Sequence, residues 1–110
     1  MAYDADLANR VREQFAEQDA RTEVRMFGGL AFLVHGNMAV AVTHDDLMVR
    51  VGADAVEEAL EQPHVRPLDM AGRQMRKWVL VAPPGVEDDT ELGRWVAAGV
   101  RYAKSLPPKG

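Results

Sequence analysis

The chain has no cysteine. Disulfides, thiolate metal sites and thiol nucleophiles are therefore excluded, and a reducing compartment suits it. Serine occurs once, at Ser105 beside the C-terminal prolines, and threonine only at Thr22, Thr43 and Thr90. Such an inventory gives a nucleophile–base–orienter triad little to work with. No stretch reaches the apolar length of a membrane-crossing helix. The N-terminus carries Asp4 and Asp6 and lacks the basic-then-apolar order of a secretion signal. Basic charge is short too: 13 Lys+Arg against 17 Asp+Glu leave −4 at neutral pH. Non-specific nucleic-acid binding draws its affinity from a basic footprint, so direct contact with DNA or RNA is not expected. These absences lead to a cytoplasmic protein with no membrane partner, no cofactor and no catalytic centre.

What is present fills one ordinary domain over residues 1–110, 47% apolar and 27% charged. A chain of this size buries roughly 65% of its unfolded surface, enough for a core without staples. Leu7, Val11 and Phe15 recur every four positions between Asp4 and Gln18, which predicts an amphipathic helix capped by Asp4 or Asp6. Asp19 to Thr22 reads as a connector. Glu23 to Phe27 alternates as a strand, Leu30–Val34 and Met38–Val42 form a hairpin, and Leu47–Val51 follows after a polar turn. Short connections between these strands demand antiparallel pairing. Ala53 to Gln62 predicts a second helix with Val56, Ala59 and Leu60 inward, ended by Pro63. His64–Leu68 reads as an edge strand because Pro67 cannot donate to a ladder. After a turn at Asp69–Arg73, Met75–Val81 is the last strand. Thr90 or Asp89 caps a final helix with the stripe Leu92, Trp95, Val96, Gly99, Val100 and Ala103. The order predicts an α+β fold: one antiparallel sheet, α-β(3–4)-α-β(1–2)-α, with helices packed against it.

The most informative segment is Phe27-Gly28-Gly29, where either a Cβ would clash or φ must be positive. It has neither the spacing of a P-loop nor the third glycine of a dinucleotide site, so a tight bend between strands is the expected reading. His44-Asp45-Asp46, with His35 one hairpin away, offers metal-compatible groups, but consecutive residues on a turn converge poorly and no metal is assigned. Arg25 and Arg50 lie in otherwise apolar strands, where a charged head needs a partner or a path to water. With Arg73, Arg76 and Lys77, and with the Phe27-Gly28-Gly29 bend, they form a candidate anion-binding or interaction surface, the arginine fork suiting carboxylate or phosphate. Trp78, with Met26, Met48, Met70 and Met75, is expected in the core. Methionine-rich surfaces also adapt to partners, and this gives Trp78 a place in the same candidate surface.

Arg25-Met26-Phe27-Gly28-Gly29, the Gly36-Asn37-Met38 turn and Leu47-Met48-Val49-Arg50-Val51-Gly52 resemble the N-terminal domain of the TfoX/Sxy family. So do Arg66-Pro67-Leu68-Asp69-Met70, Gly72-Arg73-Gln74-Met75 with Lys77-Trp78, and the closing Ser105-Leu106-Pro107-Pro108-Lys109. The resemblance implies a small α+β domain of the kind secretion chaperones also show. It brings no catalytic residues with it. In longer members, a competence regulator acts with the cyclic-AMP receptor protein and carries a second, helix-hairpin-helix-related domain. This chain ends at Gly110, so a stand-alone domain is expected.

The resulting expectation is a non-enzymatic regulatory or protein-interaction domain, with an unidentified protein partner, linked to transcription or competence. It self-associates as a homodimer through a sheet face or an exposed strand edge. The alternative is a small-molecule or nucleotide-binding domain, with or without enzymatic activity, in which Arg25, Arg50 and Arg73 converge on an anion.

Overall fold

A computed structural model describes residues 3–16, 18, 21–26, 28–70 and 72–108. The first helix, α1 (Ala5–Gln14), begins where Asp4 accepts the Leu7 N–H at 3.1 Å. One face buries Leu7, Ala8 and Val11, and Phe15 closes its last turn inside the core. Four strands follow: β1 (Arg21–Met26), β2 (Gly29–Val34), β3 (Asn37–Thr43) and β4 (Asp46–Arg50). The stretch expected as a connector thus already contributes Arg21 and Thr22 to β1.

Three tight turns join these strands, each placing a positive φ where the chain reverses. Gly28 has φ +73°, and its neighbour Gly29 could not carry a side chain, since a Cβ would stand 2.4 Å from the Val42 carbonyl oxygen. The two reasons for glycine thus fall on successive residues. His35 and Gly36, at +53° and +80°, make the two-residue turn between Val34 and Asn37 whose twist matches that of the flanking strands. Phe27 lies outside the described residues.

The second helix is shorter than its sequence suggests. Ala53–Gln62 reduces to α2 (Val56–Leu60), because Gly52 at φ +89° sends the chain through a turn first and no side chain caps the helix. Its inward residues Val56 and Ala59 are buried as the pattern required. Strands β5 (Val65–Met70) and β6 (Arg73–Val81) form the last hairpin, longer than the sequence pattern suggested at both inner ends. After a single 3-10 turn at Pro83–Gly85 comes α3 (Asp89–Ser105). The cap is Asp88, not Thr90 or Asp89: its carboxylate accepts the N–H groups of Thr90 at 2.7 Å and Glu91 at 3.3 Å. Every residue of the expected α3 stripe is buried.

The six strands form one antiparallel sheet in the order β1-β2-β3-β4-β6-β5. All three helices lie on one face, where Leu30, Phe32, Val40, Val42, Leu47, Val49, Val79 and Val81 meet Val11, Phe15, Leu92 and Trp95. At the other end of the sheet, buried Asn37 donates from Nδ2 to the Pro107 carbonyl at 2.9 Å, tying the chain's C-terminal segment to the start of β3. On the helix side of β1, Arg12 grips Glu23 at 2.6 and 2.8 Å. Those bonds hold the Glu23 carboxyl below the usual carboxylate range, with burial opposing. A lowered carboxyl contributes stability above its unfolded pKa, and the contribution disappears as pH falls through the folded one. Both side chains are well exposed, so the pair is worth little.

Candidate functional site

The face of the sheet away from the helices carries its own apolar cluster. Ala31, Ala41, Met48 and Leu68 are buried there, with Met26, Leu33, Met38, Met75, Trp78 and Leu80 packed around them at partial exposure. Every one of these residues comes from a strand, so among the described residues no helix covers this face. The small alanines sit beneath long, flexible side chains that shield them. Methionine suits that duty, since an unbranched thioether fills irregular space and re-packs readily against a partner.

Register explains how Met75 and Trp78 both reach this face. Pro67 pairs with Val79 and Asp69 with Gln74, so only Leu68 stands opposite Met75, Arg76, Lys77 and Trp78. The excess residues bulge β6 where it passes the end of β4, and bulges re-aim side chains in this way. The bulge also turns the Lys77 carbonyl to accept two N–H groups, from Val51 at 2.9 Å and Gly52 at 3.0 Å.

Arg50 closes the edge of the patch. It pairs with Trp78 across the β4–β6 ladder, and its guanidinium lies 5.9 Å from the Trp78 ring centre and 5.5 Å from that of Tyr102 on α3. The charge is thus held by two aromatic faces and a long 3.5 Å approach to the Met38 carbonyl, and by no carboxylate among the described residues. Its Nε is buried without a partner. At the opposite rim, Arg66 pairs with Asp46 at 3.0 Å.

Of the residues singled out in the sequence, the structure brings Arg50 and Trp78 together. Lys77 and exposed Arg73 lie further along the same strand. Arg25, Gly28 and Gly29 are elsewhere. Arg25 pairs with Leu30, Leu30 with Val42 and Val42 with Leu47, which puts Arg25 on the helix side at one end of the sheet. Arg50, three residues beyond Leu47, has the opposite facing and stands at the other end. Arg25 and Arg73 are separated further by three intervening strands. None of Arg25, Arg50 and Arg73 lines the open groove of about 470 Å³ between α2 and α3 bordered by Glu58, Gln62, Arg94, Arg101 and Tyr102. His35 and His44 flank β3 at its two ends. Sequence reasoning missed Leu33, Met38, Leu68 and Leu80 as members of the patch. For Leu33, Met38 and Leu80 alternation along the strands was a usable signal, since each is the out-of-phase apolar residue beside a core position, whereas Leu68 stands between exposed Pro67 and Asp69.

The architecture is α+β, one open antiparallel sheet with helices on a single side and a methionine-rich face on the other. The model of the TfoX N-terminal domain matches residues 13–103, most of the 110-residue chain. The chain belongs to the TfoX N-terminal domain family. Nothing among the curated proteins and no solved structure matches it. Among the described residues no helix is long and apolar enough to cross a membrane.

Proposed function

We propose that the chain is a cytoplasmic, non-enzymatic regulatory domain of the competence-regulator type, which presents its methionine face to a protein partner. The supporting observation is that face: ten apolar side chains gathered on strands alone, six of them only partly buried, beside an aromatic-clamped arginine. A contiguous apolar surface left partly open to solvent, with no helix over it among the described residues, suits an interaction site. Aromatic and arginine residues supply most of the energy where proteins meet. The net charge of −4 favours a protein partner over nucleic acid, and the lack of cysteine suits a reducing compartment.

The test places a photo-crosslinking residue at Leu33, on the face, and separately at exposed Glu57 on α2, in the native cell. A discrete adduct is expected from position 33 and none from 57. The captured protein, once purified, should bind the wild-type chain and lose about tenfold or more in affinity for Met38→Asp. No adduct from position 33, or equal binding of Met38→Asp, would refute the proposal.

A further inference from the structure

The sheet has two edges, and the sequence treats them differently. At β5, Pro67 removes a donor and the register shift beside it distorts the ladder, both of them devices that block pairing with another chain. At β1 neither device is present. The strand pairs with β2 without a register shift from Arg21–Val34 to Met26–Gly29, contains no proline or lysine, and is exposed along almost its whole length. Val24, at its middle, is an exposed large apolar residue, 36% accessible.

We infer that β1 pairs with β1 of a second copy of this chain, antiparallel about a two-fold axis at Val24. The charge order selects this register. Facing must be preserved across the ladder, so a slip of one residue is disallowed, because it would set the helix side of one copy against the methionine side of the other. Centring on Arg25 sets Arg25 against its own copy. Centring on Glu23 opposes two glutamates and places Arg21 against Arg25. Centring on Thr22 engages only Arg21, Thr22 and Glu23 of the described strand, and Arg21 already donates to the carbonyls of Ala16 and Gln18. Centring on Val24 opposes Glu23 to Arg25 twice, by symmetry, on the helix side. On the other side it sets Val24 against Val24 and Thr22 against Met26.

The Glu23 carboxylate has acceptor sites to spare beyond its two bonds from Arg12. Arg25 has no ion-pair partner among the described residues. The interface is isologous and closed, as a two-fold dimer requires. It joins the two sheets into one and makes the two methionine faces continuous through Val24 and Met26. Dimerisation does not depend on whether that face takes a further partner.

The chain's lack of cysteine supplies the test, since an introduced thiol is the sole one. Wild type should sediment as a concentration-dependent monomer–dimer mixture. Val24→Cys should cross-link to a covalent dimer on mild oxidation. Thr22→Cys should not: Thr22 faces Met26, so the two copies of Thr22 stand four residues apart along the ladder, roughly 13 Å. A disulfide needs Cα atoms within about 7 Å. Arg25→Glu should raise the dimer dissociation constant about tenfold by opposing two like-charged pairs, and Glu23→Arg with Arg25→Glu should recover most of that loss. A wild-type chain that stays monomeric at its highest soluble concentration, cross-linking of Thr22→Cys as fast as Val24→Cys, or an Arg25→Glu dimer as tight as wild type would each overturn the inference.

Discussion

Gly99→Ala is expected to destabilise the protein by about 2 kcal/mol, although alanine is the better helix former by about 1 kcal/mol. The reason is a close approach in the middle of the fold. A Cβ on Gly99 would stand 2.5 Å from the Ala39 carbonyl oxygen, 2.9 Å from a Val40 methyl and 3.0 Å from the Ala39 carbonyl carbon. Two of those three atoms are backbone of β3, which is paired on both sides and has no room to yield. Helix α3 must then lift off the sheet, loosening Leu92, Trp95, Val96 and Val100 together. Urea denaturation checks the sign: a variant as stable as wild type, or more so, would show that α3 does not seat on β3 as described.

Phe32→Ala should be costlier, about 3–5 kcal/mol, in line with truncation of a buried aromatic. Phe32 is 2% exposed and stacks on Phe15 with ring centres 5.4 Å apart at 28°. The pair joins β2 to the end of α1, so truncation opens a cavity and removes the contact that anchors that helix. For a domain of this size the loss corresponds to a fall in Tm of roughly 15 °C or more. Calorimetry decides: a fall of only a few degrees would mean that α1 is held elsewhere.

Much of this architecture was readable in the chain, and particular residues show where legibility stops. The α3 stripe was legible because seventeen residues at helical period carry far more signal than noise. Pro67 marked an edge strand because a missing donor is tolerated only there. Gly28 and Gly29 declared a turn, with each glycine explained by a different constraint. Helix α2 was over-read because Gly52 spends Ala53 to Ala55 on a turn, a choice made by tertiary placement and not by helical pattern. Asp88 displaced the expected caps because the 3-10 turn at Pro83–Gly85 sets where the chain enters α3.

The candidate surface was legible only in part. Arg25 and Arg50 look alike in sequence, each a lone cation in a strand, and only strand order and register send them to opposite ends and faces. Met26, Met38, Met48 and Met75 have no common spacing. They meet because four different strands present the same side, and Met75 arrives through a bulge in β6 at which the Lys77 carbonyl serves two donors. Sequence period carries no trace of that.

The central claim is that one face of the sheet is packed under helices while no helix among the described residues covers the methionine face. Methyl NMR with a soluble paramagnetic agent measures it residue by residue. The Met26, Met38 and Met75 methyls should broaden strongly, Met48 should broaden weakly, and the methyls of Val40, Val42, Leu47 and Val49 should stay sharp. Methionine signals as protected as those of the valines would contradict the account.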